Sequence, residues 1–344
     1  MEPLSAKVLD TGGEAAWDAY VRSHSLGTFF HLAGWKRVIE EAFGHRTFYL
    51  VAERQGAICG ILPLTQIKSL LFGNSLISNA FCVRGGIVAS DAEANELLRR
   101  EAIHIGRELD ADSVEFRSSG QPSSSWQLGE PVYVNFRRAI SDNDEVNLNA
   151  IPRKQRAMVR KGSANGLKAE IDHDVRRLHQ IYAESVRRLG TPVFSRRYFQ
   201  LLKREFGDAC DVLTVVNNGR PIASVMNFYF KDDVLPYYGG GLEVAREVAG
   251  NDFMYWEVMR RAAARGCRFF DFGRSKRGTG AYNFKRNWGF EPESLSYEYF
   301  QLKAKPISDR NPLSPKYQTA IKVWQHLPLS VTKIIGPLIV RSIG

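Results

Sequence analysis

Cysteine is scarce in this chain. Cys59, Cys82, Cys210 and Cys267 stand far apart, with no C-x-x-C among them. Such spacing excludes a disulfide framework and fits free thiols in a reducing compartment. Seven histidines form no H-E-x-x-H and no Cys/His ligand cluster, so the residues provide no dedicated zinc site; His173 and His179 flank or ride an exposed helix. A spanning helix needs ~20 predominantly apolar residues. The most apolar stretch, Leu327 to Ile343, is interrupted by Pro328, Lys333, Gly336 and Pro337. The opening MEPLSAKVLD lacks the basic start and apolar core of a signal peptide, so a cytoplasmic protein is expected. No Ser–His–Asp or Cys–His arrangement suggests a covalent intermediate. Asp271-Phe272-Gly273 comes without a Gly-rich phosphate loop or H-R-D, which excludes a kinase.

What remains is a globular composition, 44% hydrophobic and 24% charged, in 344 residues, enough for two domains. Lysine and arginine exceed the acids by ten, which favours polyanionic partners such as nucleic acid, anionic lipid or phosphorylated substrates.

The chain resembles itself. Phe43-Gly44 leads into the strand-like Phe48–Ala52, a turn at Gln55-Gly56 and the apolar run 58–64. Phe206-Gly207 leads into Val212–Val216, a turn at Asn218-Gly219 and the run 222–230. Each is a hairpin entered from a helix. Each half continues with a Gly-bearing strand end, a helix (93–109, 252–265) and a second strand (113–117, 269–272). The pattern predicts an α/β (α+β) fold of two tandem domains, each a mixed central sheet flanked by helices. The join falls at the polar cluster Ser141–Asp144, after a strand at 132–138. The expected boundaries are 1–142, 143–304 and a basic, apolar tail at 305–344.

Positive charge gathers in two places. Seven Lys/Arg face one acid, Asp271, between Arg265 and Arg286, in a stretch read as strand, Gly-punctuated turn and helix. Backbone N–H groups at a helix start beside cations form an anion site. The linker helix at 151–165 carries Arg153, Lys154, Arg156, Arg160 and Lys161 without an acid, as a second basic wall or a solvated face.

This succession of elements resembles the GNAT acyltransferase fold, and its duplication resembles the FemABX peptidyltransferases. The likeness extends to the FemAB-like group associated with exosortase/PEP-CTERM systems, with its BioF2-like acetyltransferase domain. It is carried by DFGRSKRGTGAYNFKRNWGFEP (Asp271–Pro292), PRKQRAMVRKGSANGL (Pro152–Leu167) and PLSVTKIIGPLI (Pro328–Ile339). Two departures stand out. The coenzyme A turn Q/R-x-x-G-x-G/A is replaced by LEVAREVAGND (Leu242–Asp252) and is not matched by SKRGTG (Ser275–Gly280). The long helical-hairpin arm of some family members, implicated in tRNA contact, has no room here. Where an ordinary GNAT has its late Tyr, this chain has Lys285, in a Phe284-Lys285 pair like that of Fem-type transferases.

The resemblance implies an acyl- or aminoacyl-transferase. It would form an amide on an amine of a phosphorylated or lipid-linked sugar or peptide precursor, in exopolysaccharide or envelope assembly. The donor is a cosubstrate, aminoacyl-tRNA or acyl-coenzyme A, with no resident cofactor and no metal. Lys285 would stabilise or protonate the developing oxyanion. Asp271 would take a proton or simply order the turn, and Tyr282 completes the expected catalytic set. Arg274, Lys276, Arg277, Gly278, Gly280, Phe284, Arg153, Arg156 and Arg160 would bind substrate. The rival enzyme is an acyl-coenzyme A N-acyltransferase; the rival of another class is a membrane-surface or nucleic-acid-binding scaffold. The tail, residues 320–344, would either lie on the inner face of an anionic membrane or pack on the second domain. In the membrane arrangement Pro328 and Pro337 would prevent a continuous helix, and Trp324 would be among the residues entering the headgroup boundary.

Overall fold

The structure is a computed structural model that describes residues 4–69, 72–118, 126–129, 132–304 and 315–344. The chain divides into two compact units, 1–131 with 295–310 and 341–344, and 132–294 with 311–340.

In the first unit a hairpin of β2 (Thr47–Arg54) and β3 (Ala57–Ser69) turns at Gln55-Gly56, both at positive φ. β1 (Ser5–Val8) joins the β2 edge, and β4 (Gly73–Ser78) and β5 (Val88–Ala89) pair with β3. Helices α1 (Glu14–Ser23) and α2 (Gly34–Phe43) precede the hairpin. A crossover through α3 (Ala92–Glu108), N-capped by Asp91, sets β6 (Ser113–Ser118) parallel to β4. The late strand β16 (Ser296–Gln301) lies antiparallel to β6, with β7 (Gln127–Leu128) beyond it. The buried Arg99–Glu298 pair, 2.9 Å, joins α3 to β16.

The second unit repeats this plan. Helices α4 (Asp144–Ala150), α5 (Arg153–Ala164), α6 (Arg176–Arg188) and α7 (Arg196–Phe206) lead to the hairpin of β10 (Cys210–Asn217) and β11 (Arg220–Phe230). The turn at Asn218-Gly219 has both residues at positive φ, as a two-residue hairpin turn requires. β9 (Lys168–Ile171) flanks β10, and β12 (Asp233–Gly241) flanks β11. The short α8 (Glu243–Glu247) and the crossover α9 (Gly250–Ala264) lead to β13 (Phe269–Asp271), parallel to β12. Only Asp233 and Val234 of β12 pair with β13, so the two strands part beyond them.

One strand near the edge of each sheet corrects the sequence reading. The strand at 132–138, assigned to the first domain, is β8 (Tyr133–Ala139) and belongs to the second sheet. There it sits between β13 and β14 (Ser275–Lys276) on one side and β15 (Pro292–Ser294) on the other. Val134 and Phe136 explain the placement, since both are buried in the core formed with Phe270, Trp288 and Phe290. Strand β16, assigned to the second domain, completes the first sheet.

The tail is two helices, α11 (Pro315–His326) and α12 (Leu329–Arg341). α12 continues through Pro337, against the expectation that this proline would break it. Proline removes one N–H, but the helix is anchored on both sides of it by buried Thr332, Gly336 and Val340. Trp324 is buried, so it does not serve as a surface anchor. Arg187 donates to the carbonyls of Gln325 (2.9 Å) and Leu327 (3.2 Å), and the Gln325 side chain donates to the Arg188 carbonyl (3.0 Å).

Candidate active site

The site begins with a break in register. One more residue intervenes between Asp271 and Ser275 than between their β8 partners Arg137 and Val134. A bulge of this kind turns backbone groups out of the ladder. The carbonyls of Gly273 and Arg274, inside it, instead accept hydrogen bonds from Lys285 Nζ, at 2.9 and 3.1 Å. Asp271 secures the turn: its Oδ1 accepts from Gly273 N at 2.8 Å and from the Asn135 amide at 2.9 Å. These contacts give Asp271 an ordering part in the geometry.

Lys285 stands on α10 (Gly280–Asn287), whose start is capped by Thr279. The Thr279 hydroxyl donates to the Lys276 carbonyl and accepts from Tyr282 N, so the loop is tied to the helix it opens. Lys285 is buried, with Nζ 5.6 Å from the Phe136 ring centroid. Burial lowers its pKa to about 7; the Asp271 carboxylate opposes the shift and the Arg274 guanidinium adds to it. Tyr282 packs edge-on against the same Phe136 ring at 5.4 Å.

The other expected residues divide. Arg274 lies over the Tyr133 ring at 4.5 Å, and Arg277 is exposed, donating to Ser294 Oγ at 3.2 Å. Gly278 is exposed in the loop beside them, and Gly280 is exposed at the first position of α10. Lys276 is buried because its strand is paired to β8, and not displayed on a phosphate-binding surface. Phe284 packs against Tyr255, Phe272 and Trp288, a core position. On α5, Arg153 and Arg160 are exposed, but Arg156 donates to Ile151 O and to Asn149, closing the turn between α4 and α5. The start of α5 abuts the end of α10: a methyl group at Gly289 would meet Pro152 Cδ at 3.0 Å.

Several residues that hold the site were not singled out in the sequence. Asn135, in β8, shows no pattern that marks it as the partner of Asp271. Arg138 donates to the carbonyls of Ala150, Trp288 and Gly289 and lies 4.4 Å from the Phe290 ring centroid. Ser275 Oγ is buried without a hydrogen-bond partner among the described residues, next in sequence to one of the carbonyls that hold Lys285.

The first turn of α9 packs closely on α8. Gly250 and Asp252 are buried, and a methyl group at Gly250 would meet Ala245 Cβ of α8 at 3.2 Å. Among the described residues no group of three or more His, Cys, Asp or Glu is placed to hold a metal ion.

Residues 150–286 match the family model described as an acetyltransferase (GNAT) domain. No curated protein matches the chain. Among solved structures the chain is similar to FemX, at 14% identity and a TM-score of 0.68, over 86% of this chain and 96% of that one. It is similar to the L-PGS of Bacillus licheniformis at 12% identity, covering 98% of each chain with a TM-score of 0.58. A tandem GNAT protein from the clavulanic acid biosynthesis pathway is 11% identical, covers 88% of this chain and 100% of its own, and has a TM-score of 0.55. The fold is therefore a tandem GNAT fold of two mixed sheets flanked by helices. In GNAT acyltransferases the acyl donor is a cosubstrate and not a resident cofactor.

Proposed function

We propose that this chain is a Fem-type acyl- or aminoacyl-transferase that forms an amide on an amine of a phosphorylated sugar or peptide precursor. The observation that carries this reading is Lys285, buried against a strand bulge with a pKa of about 7. As a neutral amine it has two N–H groups, and both are taken by the carbonyls of Gly273 and Arg274. Its lone pair then occupies the remaining tetrahedral direction. Protonation places a third N–H in that same direction.

Such a group suits amide formation at neutral pH. Attack by the acceptor amine on a donor ester forms the C–N bond, and collapse of the tetrahedral intermediate breaks the C–O bond. The nitrogen loses one proton and the departing oxygen gains one. Lys285 takes the first and supplies the second, and in its charged form it stabilises the oxyanion. Asp271, through Gly273, is a positioning residue.

The lack of a Q/R-x-x-G-x-G/A turn before α9 supports an ester donor such as aminoacyl-tRNA over acyl-coenzyme A. Exposed Arg277 supports a phosphorylated acceptor, as do Arg153 and Arg160 on α5. The test is mass spectrometry of nucleotide- and lipid-linked precursors after incubation with the purified chain and either donor. An added aminoacyl or acyl mass with one donor supports the reading and names the donor. Unchanged precursors with both donors overturn it.

A further inference from the structure

The outward arc of α12 carries three exposed apolar residues, flanked along the helix by exposed Ser330 and Arg341. Its inward side is Thr332, Gly336 and Val340, all buried. A methyl group at Gly336 would come within 2.9 Å of Val193 N and 3.0 Å of Val193 O, so the helix is seated on backbone. On the opposite arc, at helical spacing, stand Val331, Ile334 and Leu338, which are 38%, 71% and 65% exposed. Val323 of α11 is 58% exposed. A helix on a soluble domain ordinarily turns polar residues outward. Here a seated helix does the reverse.

The segment that carries this arc has charge of one sign. Lys322 is exposed on α11. Lys333 of α12 is half-buried and, like the exposed Arg196 at the start of α7, lies close enough to His179 to disfavour its protonated form. No Asp or Glu follows Asp309 in the sequence.

We propose that α12 docks this unit on an anionic lipid surface. Val331, Ile334 and Leu338 enter the headgroup boundary, and Lys322, Lys333 and Arg196 meet lipid phosphates. The helix lies in the plane of the surface, because its 13 residues are too few to span. A second copy of the chain complements the arc less well: isologous pairing would bring together two copies of a positively charged segment with no acid in it to answer them.

Co-sedimentation of the full chain with vesicles tests this and does not depend on transfer activity. Vesicles of about 30% phosphatidylglycerol in phosphatidylcholine are compared with phosphatidylcholine alone. At low salt the chain is expected to partition onto the anionic vesicles about ten-fold more strongly, and to leave them at about 0.5 M salt. The double variant Ile334→Asp, Leu338→Asp is expected to bind about ten-fold less, with unchanged melting because both side chains are already exposed. Lys322→Glu with Lys333→Glu is expected to remove the preference for anionic lipid. A wild-type chain that stays in the supernatant overturns the proposal, as does an aspartate variant that binds undiminished. A wild-type dimer that the aspartate variant turns into a monomer, without vesicles, assigns the arc to a second copy instead.

Discussion

Trp288 donates its indole N–H to the buried carboxylate of Asp252 across 3.0 Å. The side-chain amide of Gln155 donates to the same oxygen. The three residues tie α10, which carries Lys285, to α9 and α5. Burial nonetheless holds the pKa of Asp252 above the usual carboxylate value, because neither donor carries charge.

Asp252→Asn is therefore expected to raise stability at neutral pH. A carboxyl whose folded pKa is raised contributes fully below its unfolded value of about 4 and loses that contribution as pH rises through the folded value. Urea denaturation should show the variant more stable than wild type at pH 7 and no more stable near pH 4. Trp288→Phe, which leaves the carboxylate short of a donor, should cost about 1–3 kcal/mol.

Lys285→Met is expected to fold and to lower kcat about 100-fold or more, since one lost charge-stabilising donor has that effect in other active sites. In the wild type, kcat/KM should rise with pH through about 7 as the neutral amine forms. Transfer at a near-normal rate by a folded methionine variant would remove Lys285 from the chemistry.

The same substitution has a stability signature. Lys285 is neutral in the folded chain above about 7, whereas the unfolded lysine stays charged up to about 10.4. Between these values the unfolded state binds more protons, so wild-type stability rises with pH across the window, and below it the penalty is constant. Lys285→Met should be more stable than wild type at pH 7, with the gap closing toward pH 10. Parallel denaturation curves at the two pH values would contradict the depressed pKa.

Acetyl-coenzyme A is expected to bind weakly, because neither Leu242–Asp252 nor Ser275–Gly280 has the pyrophosphate pattern in the right place. Calorimetry should give heats too small to fit. Micromolar affinity accompanied by acyl transfer would favour the acyl-coenzyme A enzyme.

The repeated hairpin turns, the crossover helices and the sequence around Lys285 were legible because each is a local signal. Turn residues, periodicity and a short motif suffice to read them. The strand exchange was not. β8 has the alternation of a strand, and nothing local says which sheet it completes; that is decided by partners far along the chain. Nor could charge alone separate exposed Arg153 and Arg160 from Arg156, which closes a turn, or exposed Arg277 from buried Lys276. A basic run gives the sign of a surface, and backbone carbonyls determine which cations remain on it. Pro337 misled for a similar reason, since its effect on a helix depends on what the other side is packed against.

The placement of β8 also governs the order in which the molecule can assemble. Val134 leaves the ribosome early, yet its pairing partners Ser275 and Ser294 follow only after the whole of the second hairpin. At about 5–20 residues per second, the strand waits roughly 8–30 s for Ser294. During that time the apolar side of β8 has no sheet to join. The first unit waits longer still, because β16 is made after every strand of the second. A nascent chain of this topology has reason to engage a chaperone. A fragment that starts at residue 150, where the family match begins, would leave β13 as an open edge prone to aggregation and β14 and β15 with no strand to pair with.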